Sequence, residues 1–343
     1  MTMLKISIYG IGNFGFALLK HLSSKKDFGV NFSISAYDEN EKLMGYLQKN
    51  RTHLLHHKDI KISNQITLSE NPQGLINDTD IIILAVTSDS LPQIAKKIKR
   101  YANKKIIIVN TAKALDPKTG MRPSKIICRH LPAESYSSIA MLAGGTVAGD
   151  LLFDSPLGVD IAATHRSDLA RLKNIFESDN LHVYTSLDIT GVEYAATLKS
   201  VVAILAGIAR GLQFTYGAQT YLISRAAGEV ENLVVKKLGG KKSTFSMKNQ
   251  SWGNDLWMSC TTNTRNRQFG ILIGKGYSAK SALQKMRRRN QTVEGINTVE
   301  ALSKILARET GAFPILGSAC KIILNTSPPR ETLLYSLMSS RNI

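Results

Sequence analysis

Short apolar runs alternate with amphipathic stretches through the first half of the chain. Leu4–Tyr9, Phe32–Tyr37, 81–86, 105–110, 139–142, 159–163 and 182–185 carry the Ile/Val-rich pattern of strands. Asn13–Ser23, 41–49, Leu91–Tyr101 and 167–176 between them carry the pattern of helices with one apolar face. Strands alternating with helical stretches predict a mostly parallel sheet with crossover helices. After Asp188 the texture changes. The segment 192–212 is long and apolar-periodic, and 218–238, 266–274, 278–286, 293–310 and 318–324 continue in helical period with almost no strand pattern. The chain therefore reads as an α/β domain over 1–188 and an all-helical domain over 189–343.

Composition narrows the class. The chain has 343 residues, 43% of them hydrophobic and 20% charged, which suits two globular domains rather than a disordered or fibrous chain. Its three cysteines are widely spaced and odd in number, so neither a disulfide framework nor a zinc site is indicated, and no metal is expected. The first residues enter a strand without a charged-then-apolar leader. The longest uninterrupted apolar runs fall well short of the ~20 residues a membrane span needs. A cytoplasmic protein without a membrane span is the expectation. The formal charge of +18 gathers at 96–100, 236–242 and 287–289. It fits a solvated basic surface, or one that steers anionic substrates and cofactors. A nucleic-acid footprint is the weaker alternative, because no recognisable nucleic-acid motif accompanies the charge.

The sharpest local signal is Gly10-Ile11-Gly12-Asn13-Phe14-Gly15, which follows a strand and opens a helix, the context a G-x-G-x-x-G match requires. Gly10 permits the tight turn, Gly12 lets the backbone approach a pyrophosphate, and Gly15 lets the helix pack close to the strand. The helix start then presents free N–H groups to the phosphates. Asp38, at the end of the second strand, can accept hydrogen bonds from a ribose 2′-OH and repel a 2′-phosphate. That leans the cofactor toward NAD over NADP; the other reading of Asp38 is a solvated residue of the Asp-Glu-Asn-Glu loop.

Further blocks carry a resemblance over almost the whole chain. They are D-I-I-I-L-A-V-T-S at 80–88, V-N-T-A-K-A-L at 109–115, G-V-E-Y-A-A-T-L-K-S-V-V-A-I-L-A-G-I at 191–208, G-N-D-L-W-M-S-C-T-T-N-T-R-N-R-Q-F-G at 253–270 and V-E-G-I-N-T at 293–298. With the glycine turn, they resemble the NAD(P)-dependent glycerol-3-phosphate dehydrogenase family. The resemblance implies a Rossmann-type domain followed by a helical domain of the 6-phosphogluconate dehydrogenase C-terminal type. The implied reaction is reversible reduction of dihydroxyacetone phosphate to sn-glycerol 3-phosphate.

The same resemblance assigns residues. Lys199 is the general acid/base, with Asp255 as its partner and Lys113 as a second donor near the carbonyl. Ser259, Arg265, Asn266 and Lys113 bind the phosphorylated substrate. Gly10, Gly12, Asn13, Phe14, Gly15, Asp38, Lys113, Ala148, Arg265 and Glu294 contact the cofactor. The chemistry suits these residue types: a ketone accepting hydride needs a proton donor, and a lysine on an otherwise apolar helix is desolvated in a way that prepares it for proton transfer. Without the motif, Lys199 would read as a lysine reaching out to solvent, Lys113 as a loop lysine, and Glu294 as a helix-start acid. A homodimer is the default assembly.

Three departures from the family pattern leave the substrate open. The loop 144–150 reads Gly-Gly-Thr-Val-Ala-Gly-Asp, Ser200 stands where asparagine is usual, and Trp252 and Trp257 flank the turn before and after Asp255. A dehydrogenase of the same fold acting on another small phosphorylated or acidic ketone is the alternative. A basic nucleic-acid-binding protein on a Rossmann shell rests on the charge alone.

Overall fold

The computed structural model describes residues 3–25, 32–153, 155–289, 291–307 and 311–339. They divide into two compact units, Met1–Lys113 with Pro123–Ile189, and Ala114–Arg122 with Thr190–Ile343. Each unit has its own hydrophobic core.

The first unit is built on eight strands: β1 (Leu4–Tyr9), β2 (Phe32–Tyr37), β3 (Thr67–Leu68), β4 (Ile81–Leu84), β5 (Ile106–Asn110), β6 (Tyr136–Ala143), β7 (Leu157–Ala163) and β8 (Leu181–Ser186). Their order is β3-β2-β1-β4-β5-β6-β7-β8. The pairs from β3 to β6 are parallel, β7 runs antiparallel to β6, and β8 is parallel to β7. β4 and β5 are apolar almost throughout and fully buried, as strands covered on both faces must be. The helix Leu91–Tyr101 shows how that cover is made: Leu91, Ile94, Ala95 and Ile98 form its buried stripe. Lys96, Lys99 and Arg100 lie on the exposed face, so the basic run at 96–100 is the solvent side of an amphipathic helix. The strand order reverses between β1 and β4, the switch point outside which open α/β sheets bind ligands.

The core of the second unit is the helix Ile189–Gly211, from Val192 to Ala209 almost wholly buried. Among the described residues it is the one helix long and apolar enough to cross a membrane, and it is buried inside the protein. It crosses the helix Arg265–Gly274 at very close range. A Cβ on Gly207 would come within 2.1 Å of the Arg267 carbonyl oxygen, and one on Gly270 within 2.1 Å of the Ile204 oxygen. Gly211 and Gly274 repeat the arrangement one turn on. Only glycine allows backbones this close. Ala114–Arg122 is tied into this unit by Leu115 in its core, by the Arg122–Glu193 ion pair, and by Lys304 Nζ, which donates to the Pro117 and Lys118 carbonyls at 2.8 Å. The helix expected over 293–310 spans Gly295–Leu306; residues 308–310 lie outside the described residues.

Glu229, on the helix Tyr216–Leu233, accepts the Ile315 and Leu316 N–H groups at 3.0 and 2.8 Å, at the start of the helix Pro314–Leu324. Burial outweighs those two hydrogen bonds and raises its carboxyl to about 7. A carboxyl raised in the folded state favours folding while it is protonated. That stability is therefore complete below the ordinary glutamate range and is lost as pH rises through about 7. Glu229→Gln should lose less stability than the wild type between mildly acidic and mildly alkaline buffer, measured as urea midpoints; equal losses would refute it.

Candidate active site

The glycine turn has the geometry its sequence asks for. Gly10 has φ +95°, and a Cβ there would lie 2.6 Å from the Ala85 oxygen. Its N–H donates to the Tyr37 carbonyl at 2.8 Å, tying the turn to the end of β2. A Cβ on Gly15 would lie 2.0 Å from the Gly10 oxygen, so the helix Asn13–Ser23 meets the turn with no room for a side chain. Gly12 is the opposite case: nothing stands within 4 Å of its Cβ position. No side chain caps this helix, which leaves its first N–H groups for an anion. Gly12 and Asn13 are exposed, while Phe14 packs on the core. The residues thus fit a dinucleotide pyrophosphate.

Asp38 borders the same turn. Its carboxylate accepts the Ile11 N–H at 2.7 Å and the Asn40 N–H at 2.9 Å. Its neighbour Glu39 is engaged elsewhere, by Lys97 Nζ at 2.6 Å and the Tyr9 hydroxyl at 2.7 Å; these two donors hold Glu39 below the usual carboxylate range. On the other side of the turn lie groups that sequence reasoning missed. His53 Nε2 meets the Ile11 oxygen at 3.0 Å, and His57 Nε2 meets Asn13 Oδ1 at 2.8 Å. Ala148 opens the short helix Ala148–Leu152, in which Gly149 faces His57. Lys113 Nζ donates to the Gly144 carbonyl at 3.0 Å.

In the second unit, Lys199 does not reach for solvent. Its side chain is 12% exposed, and its Nζ donates to Asp255 Oδ1 at 2.6 Å and to Ser259 Oγ at 2.8 Å. Asp255 is fully buried. It begins the helix Asp255–Thr261, directly after a π-helical turn at Gln250–Asn254; such turns recur where a helix must re-aim a functional side chain. Gly253 lets that turn pass against the Met247 backbone, 2.1 Å from where a Cβ would stand. Ser259 is thus part of the lysine cluster, not a separate hydroxyl. Ser200 donates to the Thr197 carbonyl at 2.7 Å, so its hydroxyl is spent on its own helix.

The glycine crossing also aligns the neighbouring helix. Gly270 lies against Ile204, and the two helices run in the same direction. The Thr264 hydroxyl donates to the Ser259 carbonyl at 2.8 Å, leaving this helix start without a side-chain cap. Asn266 Oδ1 accepts the Gly295 N–H at 3.1 Å, which brings exposed Glu294 close to half-buried Asn266, the neighbour in sequence of exposed Arg265.

Residues 5–188 match the model of the NAD-dependent glycerol-3-phosphate dehydrogenase N-terminus, and residues 188–334 match that of its C-terminus. The chain belongs to the NAD-dependent glycerol-3-phosphate dehydrogenase family. Within it, the chain is 31% identical over 323 residues to the glycerol-3-phosphate dehydrogenase [NAD(P)+] of Syntrophomonas wolfei, covering 94% of this chain and 91% of that one. Two solved glycerol-3-phosphate dehydrogenases share the fold. That of Coxiella burnetii is 22% identical with a TM-score of 0.85, covering 98% of this chain and 99% of its own. That of Plasmodium falciparum is 18% identical with a TM-score of 0.87, covering 98% and 95%.

Proposed function

We propose that this member of the glycerol-3-phosphate dehydrogenase family catalyses the reversible, NAD(P)H-dependent reduction of dihydroxyacetone phosphate to sn-glycerol 3-phosphate. The observation that carries the reading is the buried Lys199–Asp255–Ser259 cluster, supported by family models over both halves of the chain. A reduced nicotinamide dinucleotide on the glycine turn supplies the hydride. Lys199 gives a proton to the carbonyl oxygen as it becomes an alkoxide and takes it back in the oxidative direction. Asp255 compensates the charge of the ammonium and, with Ser259, fixes the direction of Nζ. Arg265 and the uncapped N–H groups of its helix hold the phosphate, with Asn266 bracing that helix against Gly295. Lys113 is a second donor to the substrate, oriented by the Gly144 carbonyl.

NAD is the preferred nucleotide in this reading. The Ile11 and Asn40 N–H groups keep the Asp38 carboxylate fixed at the turn, and a fixed negative charge repels a 2′-phosphate. Asp38→Ala should narrow the ratio of NADH to NADPH efficiency; an unchanged ratio would separate Asp38 from the ribose. A second reading keeps the chemistry and changes the ketone, because the Ser200 hydroxyl proton is committed to the Thr197 carbonyl and the side chain has no amide N–H to offer a substrate. A panel of phosphorylated and acidic ketones, followed by loss of reduced-nicotinamide absorbance with both cofactors, tests the proposal. No turnover of dihydroxyacetone phosphate beside turnover of another ketone would overturn it in favour of the second reading.

A further inference from the structure

The segment 51–57 carries histidines at 53, 56 and 57 and folds back onto the glycine turn. His53 is buried, 3% exposed, with the Phe16 ring set edge-on to it at 5.5 Å between centroids. Its Nδ1 accepts the Leu55 and His56 N–H groups, both at 3.0 Å. A nitrogen that accepts two N–H groups carries no proton, so the ring proton resides on Nε2. Nε2 then donates to the Ile11 carbonyl at 3.0 Å. Ile11 lies between Gly10 and Gly12, and its own N–H is held by Asp38. The residue that aims Gly12 is therefore gripped at both its N–H and its carbonyl, while Gly12 faces open space.

We propose that neutral His53 is a positioning residue for the cofactor pyrophosphate. Through its Nε2–H it holds the Ile11 carbonyl, and so fixes the backbone that Gly12 presents to the diphosphate. The inference rests on reading that turn as a nicotinamide-dinucleotide site. Charge-bearing groups near the ring are the Asp38 carboxylate, His56, whose ring lies 4.8 Å away, and His57 on Asn13. Burial first, then His56, holds the His53 imidazole below the ordinary histidine range, against the opposing pull of the Ile11 carbonyl and Asp38. Acid must therefore place a proton on Nδ1 and break both bonds from the loop backbone. That loosens the grip on Ile11. Protonation of exposed His56 acts oppositely, by adding positive charge near a diphosphate.

Binding of NADH and of NADPH, measured by nicotinamide fluorescence from about pH 5 to 8, separates these effects in wild type, H53Q, H53N and H53F. Glutamine places an amide N–H where Nε2 stands; asparagine matches Nδ1 and cannot reach Ile11. H53Q should keep affinity within about threefold, whereas H53N and H53F lose roughly tenfold, the scale of one hydrogen bond. Wild-type affinity should fall in acid relative to H53Q, which does not titrate. Equal binding by H53Q and H53N would overturn the role of His53. If H53F does not fold, the Gln–Asn comparison decides. Wild type binding neither nucleotide at any pH would overturn the dinucleotide reading itself, whereas wild-type binding with H53N unimpaired overturns only the inference about His53.

Discussion

Lys199→Ala should lower turnover by about 10²- to 10⁴-fold, the range lost when a positioned proton donor is removed, and leave affinity for reduced cofactor close to that of the wild type. The two effects separate because the lysine lies in the second unit and the dinucleotide turn in the first. Lys199→Arg should be nearly as slow. A guanidinium keeps the positive charge beside Asp255 but holds its proton too tightly to serve as donor or, once deprotonated, as base. Steady-state rates with single-turnover controls check both variants. Near-normal turnover by the alanine variant would remove Lys199 from proton transfer. Normal turnover by the arginine variant would reduce its role to charge.

The parts of this fold legible in the sequence are those with long periods. β1, the glycine turn and the helix Asn13–Ser23 carry buried Ile6 and Ile8, three glycines of different duty, and a continuous apolar face. β3 has two residues, and the helices Pro72–Ile76 and Ala148–Leu152 have five each, too few to display a period. The helix Asp255–Thr261 escaped notice because the π-helical turn before it breaks the register. The crossing of Ile189–Gly211 with Arg265–Gly274 did have a signal. Gly207 and Gly211, and Gly270 and Gly274, each repeat at a spacing of four, the mark of helices in backbone contact.

At the site, residue types were legible and partners were not. Lys199 and Asp255 were paired from their motifs, but the bond from Lys199 Nζ to the Ser259 hydroxyl, 60 positions away, had no local signal. His53 lies 42 positions from Ile11, and no local pattern announces a bond across that separation. The basic runs illustrate the converse. At 96–100 the charge is the outer face of a helix whose inner face builds the sheet's cover, so the local reason for those lysines is solvation.

Asp255→Ala should destabilise the protein by about 3–5 kcal/mol, the scale expected when a buried ion pair loses one member. The remaining ammonium is only 12% exposed and would keep Ser259 as a neutral partner where it had a carboxylate. Removing the lysine instead, as Lys199→Met, leaves a fully buried carboxylate and should also be costly. The double variant Lys199→Met/Asp255→Leu should lose much less than the sum of the two single losses, because neither charge then needs solvation that the interior cannot give. Urea midpoints for the four proteins measure the coupling directly, and strictly additive losses would refute it. A double variant that folds well and turns over nothing would show what the pair is for. Apolar side chains would then fill the same volume at little cost in stability, as expected if the ammonium and carboxylate serve the proposed proton transfer.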